Sequence, residues 1–210
     1  MRAYDETYLP DAMGSLGVMM DYGVNTCGVK DFFERFISSR AALSFGHGHP
    51  LYVAGMSGIE LAQCVLKESG LLQEEPLPYY ADNASPEYWA GWILAYLQWY
   101  FCMDFPALAK RGVGMEQLLW WYPTIHEADV SKAVSLAARI LEADGESSLK
   151  KIRKAAGFTQ EELSSRSGVS LRMIRSYEQG AQSLSCAEYR TVRRLAWALG
   201  CRTEDFVGVM

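Results

Sequence analysis

Two arginines three residues apart, Arg172 and Arg175, stand with Leu171, Ser176 and Gln179 in a run that opens after Ser170 and closes at Gly180. Ile174 and Tyr177 mark the apolar stripe of that run, so on a helix the five other residues fall off the stripe and face outward. Their chemistry suits the edges of nucleic-acid bases. A guanidinium fork offers paired donors that match guanine O6 and N7, worth about 1–3 kcal/mol of discrimination. The Ser176 hydroxyl donates or accepts at a base edge, Leu171 packs on a thymine methyl, and Arg175 has the reach for a base or a phosphate.

Other chemistry-bearing residues form weaker patterns. His47-Gly48-His49 has no cysteine or acidic cluster beside it, and His126-Glu127-Ala128-Asp129 lacks the two-histidine spacing of a zinc helix, so no metal is expected. Cys27, Cys64, Cys102, Cys186 and Cys201 are odd in number, scattered and without a C-x-x-C pair. They read as five reduced, buried thiols of a cytoplasmic protein. There is no phosphate-cradling glycine loop, no G-x-S-x-G and no Cys/His pairing in a catalytic context, so neither an enzyme nor a cofactor is expected.

The elements that must position the arginines are helices. β-Branched runs with a period of two are absent and the fold class is read as all-α. Hydroxyl–glutamate pairs three apart predict capping boxes at Ser57/Glu60, Thr124/Glu127 and Thr159/Glu162, and Ser85-Pro86 predicts another helix start. Helices are expected at 9–26, 29–38, 57–68, 86–103, 114–121 and 125–143, with loops at Phe45–Gly55 and Gln73–Asn83. From Leu149 the punctuation becomes regular. Leu149–Ala156 stops at Gly157, Thr159 caps Gln160–Ser167, Gly168 makes a tight turn, and Ser170 caps Leu171–Gln179. Leu184–Leu199 then runs to Gly200, and Thr203 caps a last turn that buries Phe206.

The ordered set Phe158-Thr159-Gln160-Glu161-Glu162-Leu163, Gly168-Val169-Ser170, Ile174 to Gly180 and Leu195-Ala196-Trp197-Ala198-Leu199-Gly200 resembles the lambda-repressor/Cro/XRE helix-turn-helix family. The resemblance runs from about Ser147 to Val207. It implies a five-helix DNA-binding domain whose second helix of the motif lies in the major groove. It further implies a Gln160 that contacts phosphate and buttresses that helix, and an Arg153–Glu178 pair across helices, with DNA contact by Arg153 as the alternative. The expected DNA-binding set is Gln160, Ser170, Leu171, Arg172, Arg175, Ser176 and Gln179.

Charge divides the chain the same way. Residues 147–210 carry eleven basic and six acidic residues, a net of +5, and the remainder is at -10. The expected domains are therefore an acidic, aromatic-rich helical domain over 1–144 and the helix-turn-helix domain over 147–210, with a short hinge between. Five of the six tryptophans lie in the first, in a stripe from Tyr88 to Phe101 continued by Trp120-Trp121-Tyr122. The stripe is read as core or helix interface, with a ligand pocket as the alternative. Segments such as Tyr8–Met13 and Tyr52–Gly58 resemble a helical domain that recurs with XRE-type domains in Firmicute bacteria and neighbours small toxin-like genes. Together these readings imply a homodimeric transcriptional repressor on an operator in double-stranded DNA, with no membrane association. The alternative is an antitoxin whose acidic domain binds a toxin; a small ligand is the other partner that domain suits.

Overall fold

The computed structural model describes residues 2–71, 85–143, 147–180, 182, 184 and 187–207. They form helices, and no strand occurs among them. The chain divides into two compact units at Val134/Ser135. The expected loop at Gln73–Asn83 lies outside the described residues, as do residues 144–146 of the expected hinge.

In the first unit, α1 (Leu9–Cys27) packs against α2 (Val29–Ile37), α4 (Gly58–Glu68) and α5 (Pro86–Phe101). It can do so because its apolar residues are not confined to one stripe: Leu9, Ala12, Met13, Leu16, Met19, Met20 and Tyr22 are all buried. The α1–α5 crossing is close. A Cβ at Gly91 would lie 2.6 Å from the Leu16 carbonyl oxygen and 2.8 Å from the Met20 Cβ. Buried polar groups fix the helix ends: Ser85 Oγ donates to Asp21 Oδ1 at 2.9 Å, Gln98 Nε2 to the Gly46 carbonyl at 3.2 Å, and Trp99 Nε1 to the Tyr4 carbonyl at 3.0 Å. Within the aromatic stripe Trp89, Trp99, Phe101 and Trp121 are buried, whereas Trp120 is 75% exposed.

Several sequence expectations are corrected. A helix α3 occupies Arg40–Gly46 and a π-helical turn Leu51–Gly55, so Phe45–Gly55 is not one continuous loop. Ser39 nucleates α3 by accepting the Ala42 N–H at 3.2 Å. A further helix α6 spans Phe105–Lys110, capped by Asp104, while α5 ends at Phe101 because Cys102 turns left-handed at φ 50°. Thr124 does not cap a helix. It lies inside α7 (Met115–Ile125), its hydroxyl donating to the Trp121 carbonyl at 3.1 Å. Pro123 removes one donor without ending α7, since His126 N–H still reaches the Tyr122 carbonyl at 3.1 Å. Helix α8 (Val130–Ala143) accordingly begins at Val130 rather than 125. Cys27, Cys64 and Cys201 are free thiols, but Cys102 is disulfide-bonded. Spacing along a chain does not report which sulfurs approach in space. No helix of the described residues is long and apolar enough to cross a membrane.

The second unit contains α9 (Ser148–Ala155), α10 (Gln160–Ser167), α11 (Leu171–Glu178), α12 (Tyr189–Leu199) and α13 (Glu204–Val207). Leu149, Leu163, Val169, Ile174, Tyr177, Val192, Leu195 and Phe206 form its core, with Leu199 partly buried against them. The expected helix over Leu184–Leu199 is shorter, because α12 starts after Glu188.

Candidate nucleic-acid interface

Local chemistry builds the site from its turn outward. Thr159 and Glu162 form the reciprocal capping box at the start of α10: Thr159 Oγ1 accepts the Glu162 N–H at 3.1 Å and Glu162 Oε2 accepts the Thr159 N–H at 2.7 Å. Gly168 closes α10 in the left-handed region at φ 66°, where a side chain would be strained. Ser164 Oγ donates to the Val169 carbonyl at 2.7 Å, tying the turn to the helix it leaves. Ser170 then starts α11 by accepting the Met173 N–H at 3.3 Å.

The capping box gives the unit an acid-sensitive element. Hydrogen bonds from Thr159 hold the Glu162 carboxyl below its ordinary 4.5. Its contribution is complete above that value and disappears as pH falls through the lowered one. Glu162→Ala should therefore lower the melting temperature at neutral pH. The gap to wild type should close as melts are repeated below pH 4.5; a gap independent of pH would show that the carboxylate plays no part.

Beneath the motif lies an ion pair. Arg153 on α9 donates through Nε to Glu178 Oε1 at 2.5 Å and through a terminal nitrogen to Oε2 at 3.0 Å, and its other terminal nitrogen reaches the Phe158 carbonyl at 2.5 Å. The two side chains are 10% and 2% exposed. All three guanidinium nitrogens are thus engaged inside the unit, in line with the pairing reading of Arg153. Gln160 continues the network, donating through Nε2 to Glu178 Oε2 at 2.7 Å.

The outward face of α11 carries the remaining residues. Leu171, Arg172, Arg175, Ser176 and Gln179 line one shallow concavity, as their spacing requires. Ser170 is exposed at its head, with its hydroxyl used as the cap, and Gln160 is half-buried beside Glu178. Sequence reasoning missed Glu161, whose Oε1 accepts from a terminal nitrogen of Arg175 at 3.3 Å. No periodicity within one helix reveals a contact across the turn. It also gave no outward role to α12, where Tyr189 is 70% and Trp197 80% exposed, with Arg190, Arg193 and Arg194 exposed between them.

Two short helices joined by a glycine turn, the second presenting an arginine-bearing outer face, define a helix-turn-helix domain. Residues 149–206 match the family model described as helix-turn-helix. Over that segment the chain is similar to helix-turn-helix domains of the lambda-repressor/Cro/XRE type. No curated protein and no solved structure matches the chain. Among the described residues no group of three or more His, Cys, Asp or Glu is placed to hold a metal ion.

Proposed function

We propose that the protein is a sequence-specific transcriptional repressor that binds its operator as a homodimer and reads the major groove with α11. The observation that carries this reading is the gathering of Leu171, Arg172, Arg175, Ser176 and Gln179 on the outward side of α11, with Arg172, Arg175 and Gln179 exposed. That face belongs to a helix whose opposite side is anchored by Ile174, Tyr177 and the buried Glu178. A reading helix must be rigid underneath and hydrogen-bonding outside. Ser170 at the head of α11 and the second Nε2 hydrogen of Gln160 are placed for backbone-phosphate contacts beside it. Two half-sites multiply the modest affinity of one small domain.

The double substitution Arg172→Ala/Arg175→Ala should abolish a specific footprint on the DNA upstream of the protein's own gene, a loss of about a hundredfold or more in affinity. Helicity and melting should be unchanged, because both side chains are exposed. A surviving footprint would mean that another surface does the reading.

The second reading is an antitoxin whose acidic domain, residues 1–144, masks a toxin while the helix-turn-helix represses the shared promoter. Trp120 favours it: a tryptophan 75% exposed on the first unit is a ready anchor for a protein partner. Co-purification with the product of the adjacent gene, lost on Trp120→Ala, would support this reading, and reproducible absence of a complex would remove it.

A further inference from the structure

Arg175 was open to either a base or a phosphate on sequence alone, and its hydrogen bonds separate the two. A guanidinium has a side edge, made by Nε–H and one terminal N–H, and an end edge made by the two terminal nitrogens; either edge can bind a two-acceptor partner. The Arg175 side edge is occupied by the first turn of α10: Nε donates to Gln160 Oε1 at 3.4 Å, and the terminal nitrogen on that edge donates to Glu161 Oε1 at 3.3 Å. Gln160 is itself oriented, since its Nε2 is committed to Glu178 Oε2 at 2.7 Å and its oxygen must therefore face Arg175. Glu178 in turn is clamped by Arg153. A chain of charge-assisted bonds thus runs from the core of the unit to the root of one exposed arginine.

The geometry points to Arg175 as a base-reading residue, with Gln160 and Glu161 as positioning residues that hold its end edge toward the groove for a bidentate contact to guanine. This rests on the DNA-binding reading above. Two features favour a base over a phosphate. Arg175 lines the same concavity as Arg172 and Ser176, the face that enters the groove. A carboxylate at 3.3 Å is a poor neighbour for a phosphate, whose full negative charge it repels, and a far weaker opponent of the neutral acceptor edge of guanine. The side chains of Arg175 and Glu161 are 52% and 63% exposed, so the pair orients the fork rather than adding stability.

The test is selection of randomised double-stranded DNA by the full-length chain, followed by affinity measurements on the selected duplex and on its single-base variants across a salt series. Wild type should prefer guanine at one position by about tenfold or more. Arg175→Lys should erase that preference, because an ammonium cannot make the fork. Glu161→Gln and Gln160→Leu should each weaken the preference at that position while preferences elsewhere in the site persist, a readout that a merely structural role would not move. Thermal melts confirm that each variant folds. The inference is overturned if Arg175→Ala weakens every duplex by the same factor and reduces the salt slope by about one, the signature of a phosphate contact. It is overturned too if Glu161→Gln leaves base preference untouched. Failure of wild type to select any duplex would overturn the DNA-binding reading itself, and the inference with it.

Discussion

Glu178→Ala should destabilise the C-terminal unit by about 3–5 kcal/mol, a large part of what a small domain possesses. The glutamate lies 25 residues from Arg153 in sequence, and the contact joins α9 to α11. Removing it takes both carboxylate bonds from a guanidinium 10% exposed and also frees the Gln160 amide. The cost is that of breaking a buried ion pair by removing one of its two members. Arg153→Met/Glu178→Leu should therefore recover most of the loss, since apolar groups of similar volume need no partner. Hydrogen exchange of the α11 amides in the full chain reads this unit by itself. A single-variant cost under about 1 kcal/mol would show a solvated pair.

The second large effect concerns the first unit, where Phe32 is fully buried and the tip of its ring lies on the backbone of α1 at Gly23. A Cβ at Gly23 would stand 2.1–2.2 Å from three ring carbons, a distance no packing allows. Phe32→Ala should cost about 3–5 kcal/mol through the cavity it leaves. Gly23→Ala should cost about 1–3 kcal/mol or more by pushing the ring out of its place. The two should not add. In the double variant the new methyl enters space the ring has vacated, and the combined loss should fall below the sum by about 1 kcal/mol or more. Denaturant unfolding of the four proteins measures this; strict additivity would mean that ring and glycine do not share one site.

What was legible in the sequence follows from how locally each feature is encoded. Gly157, Gly168 and Gly200 all take positive φ at the ends of the helices they were expected to end, because a left-handed residue is a one-position requirement. Capping at Ser57 and Thr159 was equally local and is present as expected. Thr124/Glu127 has the same spacing, yet α7 passes through Pro123 and absorbs the threonine. Helices α3 and α6 escaped notice because seven and six residues span fewer than two turns, too few for periodicity to appear. In α6 the signal was Asp104 before Phe105-Pro106, a cap followed by proline in the first turn. In the site, the outward set on α11 was readable from the Ile174/Tyr177 stripe. The Glu161–Arg175 contact was not, since it depends on how two helices cross.

Helices α9, α10 and α11 are eight residues each. Segments of that length do not stay helical in water by themselves; they persist because their apolar sides close on one another. The outward face of α11 therefore has no existence apart from the whole of residues 149–206. Such a domain can be inherited only entire, since no fragment of it would keep the outward residues in place.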